Sequence, residues 1–121
     1  MKVYVASHSQ ESAREIAKKL LDAGHEIQCC WLDKSFQRTA RYTLYEKQRI
    51  AIIDLEDIVA CDVLVLEGGW ELYPGGKFVE AGYALGLGKQ VVVIGRVENM
   101  MLYHPTILAF DTIEEFIEAF K

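Results

Sequence analysis

The chain has 121 residues, of which 51% are hydrophobic and 26% charged, with a formal net charge of -5. That is the composition of a globular chain long enough for one domain, 1–121, with its own core, and its negative balance argues against a nucleic-acid duplex as partner. The apolar runs are too short to span a bilayer, the opening MKVYVASHSQ lacks a signal-peptide pattern, and Cys29, Cys30 and Cys61 read as buried thiols of a cytoplasmic protein rather than a disulfide framework.

Residues 2–6, KVYVA, predict a first strand. Ser9 is placed to cap a helix from 10 to about 23, with Ala13, Ile16, Ala17, Leu20 and Leu21 at helical spacing and Gly24 at its end. HEIQCCWL predicts a second strand and DKSFQR a loop. Thr43 and Glu46 have the spacing of a capping box, which opens a helix running to about 60. Residues 62–67, DVLVLE, predict a buried third strand, followed by the turn-rich GGWELYPGG. The helix carrying Glu80 comes next and ends at Gly88. QVVVIG predicts a fourth strand, RVENMMLYHP a loop, TILAF a short fifth strand and 111–120 a last helix.

Strands alternating with helices imply right-handed crossovers and a parallel sheet, and runs such as VLVL and VVVI fit burial on both faces. The expected architecture is a flavodoxin-like three-layer α/β sandwich, a five-stranded parallel sheet in the order 2-1-3-4-5. Ligands bind such sheets beyond the carboxyl ends of the strands. Here that edge is made by residues 7–10, 33–38, 68–76 and 96–105.

Two acids on helices draw attention. Glu80 lies within one turn of Gly76, Lys77, Tyr83 and Ala84, a face that a ligand can approach closely. Desolvation there raises the carboxyl pKa, while the helix N-terminus and Lys77 lower it. An ionised, buried carboxylate at a strand-end pocket suits a nucleophile, and the alternative is an acid that complements the helix dipole. Asp54 shares a face with Ile50, Ala51 and Ile58. Burial and the negative end of the helix make it a proton donor; otherwise it is a solvated acid of the run DLED. Asp57 reads as a surface partner for a lysine or arginine.

The pairs Gly68-Gly69 and Gly75-Gly76 either offer backbone N–H groups to an anion or sugar hydroxyl, or form turns that need positive φ. They do not form a Walker A loop, because Glu71 and Phe78 stand where that motif needs Gly and Ser or Thr. Lys34, Arg38, Arg41, Lys47 and Arg49 interleave with Trp31, Phe36, Tyr42 and Tyr45, which can stack a base and hold a phosphate or form a solvated helix entry. Ser7, His8 and His104 fall on edge loops, whereas His25 reads as structural. The three histidines have no metal-ligand spacing.

KVYVAS, DLEDIVACDVLVLEGG and GGKFVEAGYALGLGKQVVVIG together resemble the nucleoside 2-deoxyribosyltransferase family, which includes hydrolases of 2′-deoxynucleoside 5′-monophosphates. The likeness runs from Met1 to about Tyr103, and its most specific part is a Glu followed by GYALGLGK. It implies that Glu80 is the nucleophile on the anomeric carbon, supported by Tyr4, and that Asp54 handles the base. Ser7, His8, Trp31, Arg38, Gly69, Gly75 and Gly76 would line the substrate site. Asn99 falls where the family uses a polar residue near the sugar 5′ position, and Asp62 is structural. The resemblance implies no cofactor and no metal, a small nucleoside or nucleotide as partner, and a homodimer or larger assembly. One departure stands out: where transferases often carry Asp and the monophosphate hydrolases Ser, this chain reads YPGG. Substrate choice is therefore open between a nucleoside, its monophosphate and an NAD-like or cyclic nucleotide, as is a non-catalytic nucleotide-binding role.

Overall fold

A computed structural model describes residues 1–33, 41–69 and 75–121. Its elements are β1 (Lys2–Ala6), α1 (Gln10–Asp22), β2 (Glu26–Ile27), α2 (Leu44–Ala60), β3 (Val63–Glu67), α3 (Gly76–Gly86), β4 (Gln90–Ile94), β5 (Leu108–Phe110) and α4 (Ile113–Ala119). Two 3-10 turns, Cys30–Leu32 and Met100–Tyr103, complete them. All strand pairings are parallel and the order is β2-β1-β3-β4-β5, the flavodoxin-like sheet expected from the sequence. None of the described helices is long and apolar enough to cross a membrane.

Local chemistry sets the helix boundaries. Ser9 caps α1 by accepting from the Ser12 N–H, and Thr43 and Glu46 form the full capping box of α2. Thr112 caps α4 through the Glu115 N–H. Gly24 and Gly88 take positive φ, as helix exits that only glycine adopts without strain. The core is the sheet interior: Val3, Tyr4, Val5 and Ala6 of β1, Val63 to Leu66 of β3 and Val91 to Val93 of β4 are buried. Each buried Val or Leu contributes about 1.5–3 kcal/mol of transfer free energy. Asp62 accepts the Lys2 N–H at 2.8 Å and ties the starts of β1 and β3, the structural role expected of it.

The second strand is the main difference. HEIQCCWL pairs only at Glu26 and Ile27, with one further ladder bond from the Gln28 N–H to Val3 O at 2.9 Å. The chain then leaves the sheet because side chains compete for its backbone. Asp57 Oδ2 accepts the Cys30 N–H at 2.7 Å, and the Trp31 indole donates to Val5 O at 2.9 Å. Strand β5 is shorter than TILAF, and the loop after β4 contains the 3-10 turn, capped by Asn99 through the Met101 N–H at 3.0 Å.

Past Glu67 the sheet continues as single bonds: the Gly68 N–H reaches Ile94 O at 2.7 Å and the Gly69 N–H reaches Arg96 O at 2.9 Å. Gly68 has no room for a side chain, since a Cβ would sit 2.5 Å from Arg96 O. Gly69 takes φ +85. The positive-φ expectation thus holds at Gly69; Gly75, with φ -85, meets it no better than an ordinary residue.

Candidate active site

The order reverses between β1 and β3, and there the first crevice opens. A cavity of about 390 Å³ lies between α2 and α3, lined by Ser7, Gln10, Trp31 and Tyr42 on one side and by Ile50, Ala51, Asp54, Leu55, Gly76, Val79 and Glu80. Its wall is apolar apart from a few convergent polar groups, the usual character of a small-molecule site.

Strand β1 carries Tyr4 into the core beneath α3, where its hydroxyl donates to Glu80 Oε2. Burial pushes the Glu80 carboxyl up to about 8, and the Tyr4 bond, which favours the ionised form, works against that. The expected help from the helix and Lys77 is missing for geometric reasons. Glu80 is the fifth residue of α3, beyond its first turn. Lys77 is buried and turns its ammonium to Glu67 O, at 2.9 Å, and to Gly69 O. At neutral pH burial therefore favours protonated Glu80, where the sequence reading expected an ionised acid.

Asp54 faces the same cavity from α2. Its Oδ1 is buried and has no hydrogen-bond partner among the described residues. Burial first, and the neighbouring Asp57 second, raise its carboxyl to about 6. Asp57 itself corrects the sequence reading: it is buried, pairs with no cation among the described residues, and accepts from the Cys30 N–H at 2.7 Å and Gln28 Nε2 at 3.1 Å. The cysteines differ from expectation too. Cys29 and Cys61 are buried, but Cys30 is exposed, with its thiol 3.5 Å from Asp57 Oδ1 and raised to about 11 chiefly by that bond.

Of the remaining candidates, Ser7, Trp31 and Gly76 reach the cavity wall. His8, Gly69, Gly75 and Asn99 are not among the described wall residues; Gly69 is spent on the Arg96 and Lys77 contacts, and Asn99 on its cap. Arg38, Lys34, Phe36 and the residues Tyr73 and Pro74 of YPGG lie outside the described residues. His104 bonds locally to Thr106 at 2.8 Å, and His25 sits against Phe116 as a structural residue. Two residues were missed. Gln10 donates to Trp31 O at 2.6 Å and so joins α1 to the wall. Glu67, at the carboxyl end of β3, accepts from Ser7 Oγ at 2.6 Å and lies 3.3 Å from His8 Nδ1. An acid ending the buried run VLVLE, at the switch point, was the signal available for it.

No protein-family model matches the sequence, and no curated protein matches it. Solved structures do share its fold. The 2-deoxyribosyltransferase of Bacillus psychrosaccharolyticus is 22% identical with a TM-score of 0.74, over 97% of this chain and 90% of that one. The CMP N-glycosidase BcmB of Clostridium botulinum is 15% identical with a TM-score of 0.62, over 99% of this chain and 98% of that one. A 2-desoxiribosyltransferase from Leishmania mexicana is 16% identical with a TM-score of 0.63, over 97% of each chain.

Proposed function

We propose that the chain is an enzyme that cleaves or transfers the N-glycosidic bond of a nucleoside or nucleotide through a glycosyl–Glu80 ester. The observation that carries the reading is one cavity holding a buried glutamate bonded to a tyrosine and a second acid whose buried oxygen has no hydrogen-bond partner among the described residues. The names of the structural neighbours agree with it.

In this reading ionised Glu80 attacks the anomeric carbon as the C–N bond breaks, and the bond's electrons pass to the base. Protonated Asp54 gives the departing base nitrogen its proton. Water, or a second base, then attacks the anomeric carbon and gives Asp54 a proton as the bond from that carbon to Glu80 breaks, which releases the Glu80 carboxylate with net retention of configuration. The chemistry needs the pair as Glu80 ionised and Asp54 protonated. Carboxyls at about 8 and about 6 favour the opposite arrangement, so moving the single proton from Glu80 to Asp54 costs free energy before attack. Tyr4 lowers that cost by stabilising the Glu80 carboxylate as it forms.

The test is incubation with nucleosides, their monophosphates and NAD, read by chromatography for free base. Release without an acceptor base means hydrolysis, and exchange only with an acceptor means transfer. Glu80→Ala should lower turnover by several orders of magnitude while the helix, which already contains Ala81 and Ala84, stays folded. Near-normal turnover by folded Glu80→Ala protein would overturn the reading.

A further inference from the structure

Asp57 is a buried acid that the chemistry above does not use. It sits one helical turn beyond Asp54 on α2, on the side facing the segment between β2 and the first 3-10 turn. Its two oxygens are occupied: Oδ2 by the Cys30 N–H at 2.7 Å, Oδ1 by Gln28 Nε2 at 3.1 Å and the Cys30 thiol at 3.5 Å. These contacts take up the backbone of the segment where it stops pairing with β1. The next residue is Trp31, whose ring forms part of the cavity wall and whose indole N–H is held by Val5 O at 2.9 Å.

We propose that Asp57 is a positioning residue of the cavity: it fastens the turn bearing Trp31 to α2, one helical turn from Asp54, and presents its charge to that acid. The proposal rests on the reading of Asp54 and Glu80 as the reacting pair for its functional meaning, but not for its geometry. Two consequences follow from one carboxylate. The clamp fixes how far the Trp31 wall stands from α2, and hence the width of the slot into which a planar base would enter. The charge opposes ionisation of Asp54 and keeps its proton available nearer neutral pH. Among the described residues, the other titratable groups around the pair are Cys29, Cys30 and Asp33 on the β2-to-turn segment, Cys61 after α2, Glu80 on α3, Tyr42 before α2 and Tyr4 beneath Glu80. None of them supplies a positive charge that would offset Asp57.

Two variants separate charge from anchor, with readouts that need no substrate. Asp57→Asn keeps the shape and an acceptor for the Cys30 N–H but removes the charge. In ¹³C-aspartate-labelled protein, Asp54 should then titrate at lower pH than in the parent, while the Trp31 indole resonance keeps its position. Asp57→Ala removes the anchor. The Trp31 indole N–H, assigned against Trp70→Phe, should exchange with solvent at least tenfold faster than in the parent. If Asp57→Ala does not fold, the Asn variant decides alone. An unchanged Asp54 titration in Asp57→Asn, or unchanged indole exchange in folded Asp57→Ala, overturns the proposal. If both shifts appear while Glu80→Ala retains turnover, Asp57 still positions the cavity and only the catalytic reading fails.

Discussion

A carboxyl held protonated by burial is a cost that grows with pH. Glu80 keeps its proton in the folded chain up to about 8, whereas the unfolded chain releases it above about 4.5. Between those values the folded state binds more protons, so stability falls as pH rises through that window and the full penalty applies above about 8. At ~1.4 kcal/mol per pKa unit the effect is a few kcal/mol. Glu80→Gln should therefore melt higher than the parent at pH 8.5, with the gap closing towards pH 4. Equal melting temperatures across that range would mean the carboxyl is solvated. Asp54 makes a kinetic prediction. With both acids present, kcat/KM should fall below about pH 6 and above about pH 8. Asp54→Asn, assayed on a substrate with an activated leaving group, should lose the alkaline fall and rise to a plateau beyond about pH 8. On substrates with poor leaving groups it should lose about 10²–10⁴-fold in rate. Equal losses on both substrates would give Asp54 a binding role instead.

At the level of elements, the junction of β3 and β4 leaves no room for a side chain at Gly68. A methyl group at Gly68 meets the Arg96 carbonyl at 2.5 Å, a backbone atom that moves only if the β4 exit moves. Gly68→Ala should cost about 1–3 kcal/mol in denaturant unfolding and, by shifting the start of the loop, weaken substrate binding as well. A wild-type midpoint would show that the two loop stems separate freely. This is also the scale at which the sequence was most and least informative. Two helix starts were readable because Ser9 and Thr43 act on N–H groups three residues away; Thr112 does the same for α4, whose start the sequence reading put at 111. β3 and β4 were readable because burial on both faces leaves an unbroken apolar run. The end of β2 was not, because Asp57 captures the Cys30 N–H from 27 residues away, and nothing local to HEIQCCWL encodes that. The same distant partner made Asp57 look solvated. Glu80, Asp54 and Tyr4 were legible as a set through the family resemblance. The upward shift of Asp54 was legible from its apolar helix face, but that of Glu80 was not, since it depends on where Lys77 turns and how deeply α3 packs.

Across the whole molecule, the strand order places the β1–β3 switch point under the gap between α2 and α3, and that one topological fact brings residues 4, 54 and 80 together from three separate elements. The parallel sheet followed from alternating elements and right-handed crossovers, with no side-chain detail required; the order 2-1-3-4-5 was the flavodoxin-like choice among the orders those rules allow. The cavity so formed has a wall that, among the described residues, contains two acids and no lysine or arginine, in a chain of net charge -5. Ionic strength turns that into a test of substrate class. Raising salt from about 10 to about 150 mM shortens the screening length from roughly 30 to 8 Å. A dianionic nucleotide approaching this surface is repelled at low salt, so its kcat/KM should climb as salt is added, while that of an uncharged nucleoside stays level. A fall with salt for the nucleotide would instead reveal a cationic phosphate seat contributed from beyond the described wall. The encounter rate thus reports what the pocket was shaped to admit before any bond is broken.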